Sequence, residues 1–122
     1  LKGLRVYKRR EDTMEAILRK KGTSQTERTI NKKLFRLLIK TEKLEGIICE
    51  LDPGASSELY THKGEEIRIM LKGTIEYQVG DKTYTLKEGD VLWHRSDVLH
   101  RGTNVGKGKA VYFTVGVPPT FM

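Results

Sequence analysis

Tyr60, His62, Glu66 and His100 are the residues of this 122-residue chain whose types and spacing allow one piece of shared chemistry. Two imidazoles and a carboxylate form a donor set that a divalent nickel, zinc, manganese or iron ion accepts, whereas a phenol is an uncommon ligand. Tyr60 and His62 stand two apart in "ELYTHKGEEIRIMLKG", so an extended backbone points both to one side. The Lys63-Gly64 turn then brings the next strand back alongside, within reach of Glu66. His100 follows a turn, "RSDVL", and can close the set from across a barrel. Arg68 and Met70 lie two and four residues beyond Glu66, and strand alternation places all three on one face. A guanidinium on an inward face needs a partner, either Glu66 or an anionic ligand. His94, in "VLWH", is either a satisfied structural histidine or a pocket residue. The candidate metal ligands are therefore His62, Glu66 and His100, and the candidate ligand-binding residues are Tyr60, Arg68, Met70 and His94.

The elements that must position these residues are short strands separated by turns. "LEGIICEL" is a buried strand closed at Pro53-Gly54, and "EIRIMLKGTIEYQV" alternates over a long stretch. Gly80-Asp81 is a two-residue hairpin signal, "KEGD" at 87–90 another turn, "NVGKGK" a loop and "AVYFTVGV" the last strand before Pro118-Pro119. About seven strands at this spacing predict an all-β antiparallel barrel or sandwich. Ahead of them, "EDTMEAILRKKG" (11–22) has an acidic start, helical apolar spacing and a basic end before Gly22, which predicts a short helix. "TSQTERTINKK" reads as a loop, and "LFRLLIK" is too short for its period to separate strand from helical turn. The expected organisation is a basic segment over 1–43 followed by a barrel over 44–122.

Charge is divided the same way. Residues 1–50 hold 14 Lys/Arg against 7 Asp/Glu, residues 51–122 hold 9 against 9, and the chain carries +7 in all. The excess suits an acidic partner such as nucleic acid, although the interleaved acids equally describe a solvated surface. The lone Cys49 sits in an apolar run, as a buried residue in a reducing compartment would. With no long apolar span and no secretory signal, a cytoplasmic protein without membrane association is expected. Ile67, Ile69 and Leu71 face opposite to Glu66 and Arg68 and need cover, which predicts a homodimer.

Two segments resemble the paired motifs of the cupin superfamily. Gly54, Tyr60, His62, Glu66 and Gly73 stand where the first motif has Gly, His, His, Glu and Gly; Gly89, His100 and Asn104 match the second in register. Tyr60 stands at the place of one ligand histidine, and Arg95 and Asp97 at those of a proline and a glycine. The resemblance implies a small jelly-roll barrel and a metal set reduced from four protein ligands to His62, Glu66 and His100. "HKGEE", "SDVLHRGTN" and "VPPTF" further resemble the cupin sensor domain of prokaryotic helix-turn-helix regulators. That implies a small-molecule effector, and DNA contact only through an upstream domain, in keeping with a chain that opens on Leu1. The alternative reading is a small metal-dependent dioxygenase or isomerase with Tyr60 as proton donor.

Overall fold

A computed structural model describes residues 15–57 and 59–120 of the protein. Nine strands and no helix are found among them: β1 (Thr26–Ile30), β2 (Lys33–Lys40), β3 (Glu45–Leu51), β4 (Glu65–Lys72), β5 (Ile75–Val79), β6 (Lys82–Leu86), β7 (Val91–Arg95), β8 (His100–Asn104) and β9 (Ala110–Val117). All neighbours pair antiparallel, in a six-stranded sheet of order β1-β2-β3-β9-β4-β7 and a three-stranded sheet of order β6-β5-β8. The all-β, jelly-roll fold class read from the sequence is the fold observed.

The core lies between the sheets because alternation gives each strand one apolar side. Leu37, Ile47, Leu51 and Met70 reach inward from the large sheet, and Ile75, Tyr77 and Leu86 meet them from the small one. On β4 the inward set is Glu66, Arg68 and Met70, all buried, while Ile67, Ile69 and Leu71 face outward and are exposed. Gly80 supplies a positive φ of 62° at the β5–β6 turn, as that hairpin requires.

Ahead of β3 two expectations are corrected and one open alternative is resolved. "TERTI" is a strand, although all five of its residues are exposed. An edge strand with no buried face leaves no alternation to read. It turns into β2 through Asn31 and Lys32, both at positive φ, a tight hairpin made without glycine. "LFRLLIK" belongs to β2, whose inward residues are Lys33, Phe35 and Leu37. Of the helix expected over 11–22, residues 11–14 lie outside the described residues and 15–22 are not helical. Ile17 and Leu18 there are exposed, and a short helix without a buried face does not offset its nucleation cost. The segment is instead tied to β2, by Arg19 Nε donating to the Leu38 carbonyl and by the Gln25 amide donating to that of Leu37. Both β1 and β2 lie in the same sheet as β3.

Candidate metal and ligand site

Tyr60 and His62 stand on the loop between β3 and β4, which is stitched to the small sheet rather than left free. Ser56 and Thr103 form a bridge, and so do Tyr60 and His100, with the Tyr60 amide on the His100 carbonyl at 3.3 Å and the reverse bond at 3.1 Å. The His62 amide donates to Ser96 O, and the Ser96 amide donates to Gly64 O. Gly64, at φ 101°, passes so close to Val117 that a Cβ would lie 1.9 Å from its carbonyl oxygen. Only glycine can make this turn between His62 and β4. Asn104 is a structural clamp: its amide nitrogen donates to the carbonyls of Leu51 and Gly108, and its oxygen accepts from the Gly106 amide. Arg95 and Asp97, in place of proline and glycine, hold their turn by a two-pronged exposed ion pair at 2.9 and 3.1 Å.

Glu66 comes from the large sheet and His100 from the small one, so the site exists only when the barrel is closed. Glu66 Oε2 lies 3.2 Å from His62 Nε2 and 3.2 Å from His100 Nε2. Neither nitrogen makes a hydrogen bond of good geometry. His100 Nδ1 donates to the Val98 carbonyl at 2.7 Å, which leaves Nε2 as the nitrogen facing the carboxylate. A lone pair aimed at a carboxylate oxygen in a buried site requires a cation between them, either a proton or a metal ion. The donor atoms of His62, Glu66 and His100 all lie within 4.8 Å of one another. Metal bonds of 2.0–2.1 Å in tetrahedral array set donors about 3.3 Å apart, so the residues fit a divalent ion. Thr120 Oγ1 lies 2.9 Å from His62 Nδ1 and orients that ring from its far side.

Arg68 is compensated internally. It is 3 % exposed and donates to Glu66 Oε1 at 3.1 Å and to His94 Nε2 at 3.0 Å, with its guanidinium 4.0 Å from the Tyr77 ring centre. Burial pushes Arg68 down, but the neighbouring phenols and Glu66 more than reverse it. Burial alone would raise Glu66; His100, Arg68 and His62 outweigh it and hold the carboxyl at about 2. His94 Nδ1 donates to the Arg95 carbonyl, and burial lowers the ring to about 4, which keeps it a neutral acceptor for Arg68. Burial first, then the Glu66 charge, pushes Tyr60 up to about 12. Burial likewise lifts the Cys49 thiol to about 12, leaving it inert.

Tyr60, His62, Glu66 and Arg68 line an inner cavity of about 30 Å³, which has room for an ion and a water or two. His94, Met70 and His100 do not line it: His94 backs Arg68, Met70 packs in the core, and His100 meets Glu66 from behind the cavity wall. The inner cavity shares Phe35, Ser57, Tyr60, His62 and Thr120 with an outer chamber of about 510 Å³, the size of a small-molecule site. Sequence reasoning missed Tyr77, Lys33 and Thr120. Lys33 was the one a firm strand assignment of β2 could have found, since alternation then turns it inward with Phe35.

The cupin domain family matches residues 47–116, more than half of the chain. The protein is a cupin. An uncharacterized protein of Archaeoglobus fulgidus is 37% identical over 60 residues, 49% of this cupin and 57% of the relative, so the match spans little more than half the relative's length. Among solved structures, the cupin domain of an XRE-family transcriptional regulator from Enterobacter cloacae aligns with TM-score 0.68 at 20% identity, over 74% of this chain and all of that one. A predicted oxalate decarboxylase from Thermotoga maritima aligns with TM-score 0.74 at 22% identity, over 83% and 98%. Identities at this level establish the fold, and the fold hosts both regulators and enzymes.

Proposed function

We propose that this cupin is the effector-sensing module of a transcriptional regulator, binding a small molecule in the outer chamber against a divalent ion held by His62, Glu66 and His100. One observation carries the choice of binding over turnover: a narrow inner cavity, whose buried Arg68 is already paired, opens on an outer chamber of about 510 Å³ that can hold a small molecule. Arg68 spends its donors on Glu66 and His94, so the inner wall is rigid rather than reactive. The regulator cupin domain among the structural relatives supports this reading, and DNA contact would belong to a further domain of such a regulator. The second reading, a metal-dependent dioxygenase or isomerase, draws on the three-ligand set, because catalytic sites keep a position open beside three protein ligands.

The readings separate on the fate of bound compounds. A thermal-shift screen of small metabolites with Mn, Fe, Ni or Zn added should find a stabilising compound that one-dimensional NMR shows unchanged after prolonged incubation. Conversion of that compound would hand the site to the enzyme reading.

The same proposal includes a cytoplasmic homodimer. Ile67, Ile69 and Leu71 of β4 adjoin Val91 and Trp93 of the edge strand β7, forming an exposed apolar face. Light scattering at micromolar concentration is expected to give twice the chain mass; a monomer would refute the paired state. Among the described residues, no helix is long and apolar enough to cross a membrane.

A further inference from the structure

We propose that the outer chamber takes a small carboxylate and that Lys33 is the residue that recognises it, an inference that rests on reading this barrel as a small-molecule module. Lys33 is the first inward residue of β2, 9 % exposed, and lines the outer chamber beside Phe35, Ser57 and Tyr60. Its ammonium makes one hydrogen bond, to the Ser56 carbonyl at 2.8 Å, and no ion pair among the described residues. The contrast with Arg68 is direct. That buried cation has a carboxylate, an imidazole and a ring, whereas Lys33 has one carbonyl.

An ammonium carries three donors, and a buried cation with no counter-charge is costly to the fold. A ligand anion supplies that charge. The chamber is suited to one: no acidic side chain is among the described residues that line it, and of its two cations Arg28 already has a partner, which leaves Lys33. One ammonium flanked by a carbonyl oxygen matches a single negative charge. A phosphate carries nearly two negative charges and needs more N–H donors than this one ammonium supplies. The inner cavity is too small for an organic group, so the body of the ligand fills the outer chamber with its far end at Tyr60 and His62, which line both spaces.

The test uses metal-free protein in the presence of a chelator, so that no carboxylate binds through a metal. Acetate, lactate and benzoate are titrated against their amides and against inorganic phosphate, following the backbone NMR signals of Ser57, Thr61 and Thr120 and the dissociation constants. At least one carboxylate is expected to bind about tenfold or more tighter than its amide. Lys33→Met should abolish that preference, while Lys33→Arg keeps the affinity within about threefold. Without ligand, Lys33→Met should leave the melting temperature unchanged or higher, since it removes a part-buried cation that has no ion pair among the described residues. Amides that bind as well as acids, phosphate that binds tightest, or a Lys33→Met variant that binds normally would each overturn the carboxylate proposal and leave small-molecule binding intact. A Lys33→Met protein that melts well below the parent would overturn it too, by making Lys33 a structural brace for Ser56. If neither acids nor amides move those three signals, the carboxylate proposal falls, whereas the small-molecule reading, which sets its ligand against a divalent ion, stands or falls on the metal-supplemented screen.

Discussion

Replacing Arg68 with methionine is expected to destabilise the barrel by about 3–5 kcal/mol, the cost of leaving a buried charge without its partner. Glu66 is 8 % exposed and loses the guanidinium at 3.1 Å; His94 Nε2 loses the donor at 3.0 Å, and the Tyr77 ring loses the cation 4.0 Å from its centre. Tyr77 belongs to the small sheet and Arg68 to the large one, so the loss falls on the contact between the sheets. The deficit should be strongly coupled to the carboxylate. Adding Glu66→Gln to Arg68→Met removes the orphaned charge and should recover about half of the loss, although Glu66→Gln alone is also destabilising. Urea denaturation of the four proteins completes the cycle. A deficit below about 1 kcal/mol for Arg68→Met would mean that His62 and His100 already neutralise Glu66, and the internal pair would lose its structural role.

Where the sequence was legible, it was because local spacing maps directly onto geometry. Period-two alternation settled the face of Glu66, Arg68 and Met70 and the opposite face of Ile67, Ile69 and Leu71, as the structure has them. Motif register joined His62 and Glu66 to His100, 34 residues beyond Glu66, and the three do converge. Failure came where the chain carries no period. The β1 strand has no buried side to alternate with, and its turn uses Asn31-Lys32 where Asn-Gly would have announced a hairpin. With that hairpin unread, β2 stayed ambiguous and Lys33 stayed invisible as an inward cation. Tyr77 and Thr120 were illegible for a different reason. Their roles depend on how the two sheets close and where residues 118–120 return, and nothing in either residue's neighbourhood encodes it.

The same closure explains why a phenol at position 60 need not be a ligand. Tyr60 is fixed by two backbone bonds to His100, so its side chain starts from a set point, with the ring centre 4.7 Å from that of His100 and 5.7 Å from that of His62. To coordinate strongly it must lose a proton, and in the metal-free site burial followed by the Glu66 charge pushes the phenol up to about 12, so an ion has to displace that proton to gain the ligand. Tyr60→His places an imidazole on the same anchor, without that proton to lose. Affinity for Ni or Zn is expected to rise by about tenfold or more over the parent, because a nitrogen replaces water or a weak phenol in the coordination set. Tyr60→Phe, which keeps the ring and removes the oxygen, should leave metal affinity unchanged while weakening any ligand that bonds to the hydroxyl by about 1–3 kcal/mol. Calorimetry with each metal on the three proteins gives a clear division. Equal affinity in Tyr60→His and the parent would place residue 60 outside the coordination set; loss of affinity in Tyr60→Phe would make the phenol a working ligand. That second outcome would turn a three-donor site into a four-donor one and move the balance toward the metal-dependent enzyme.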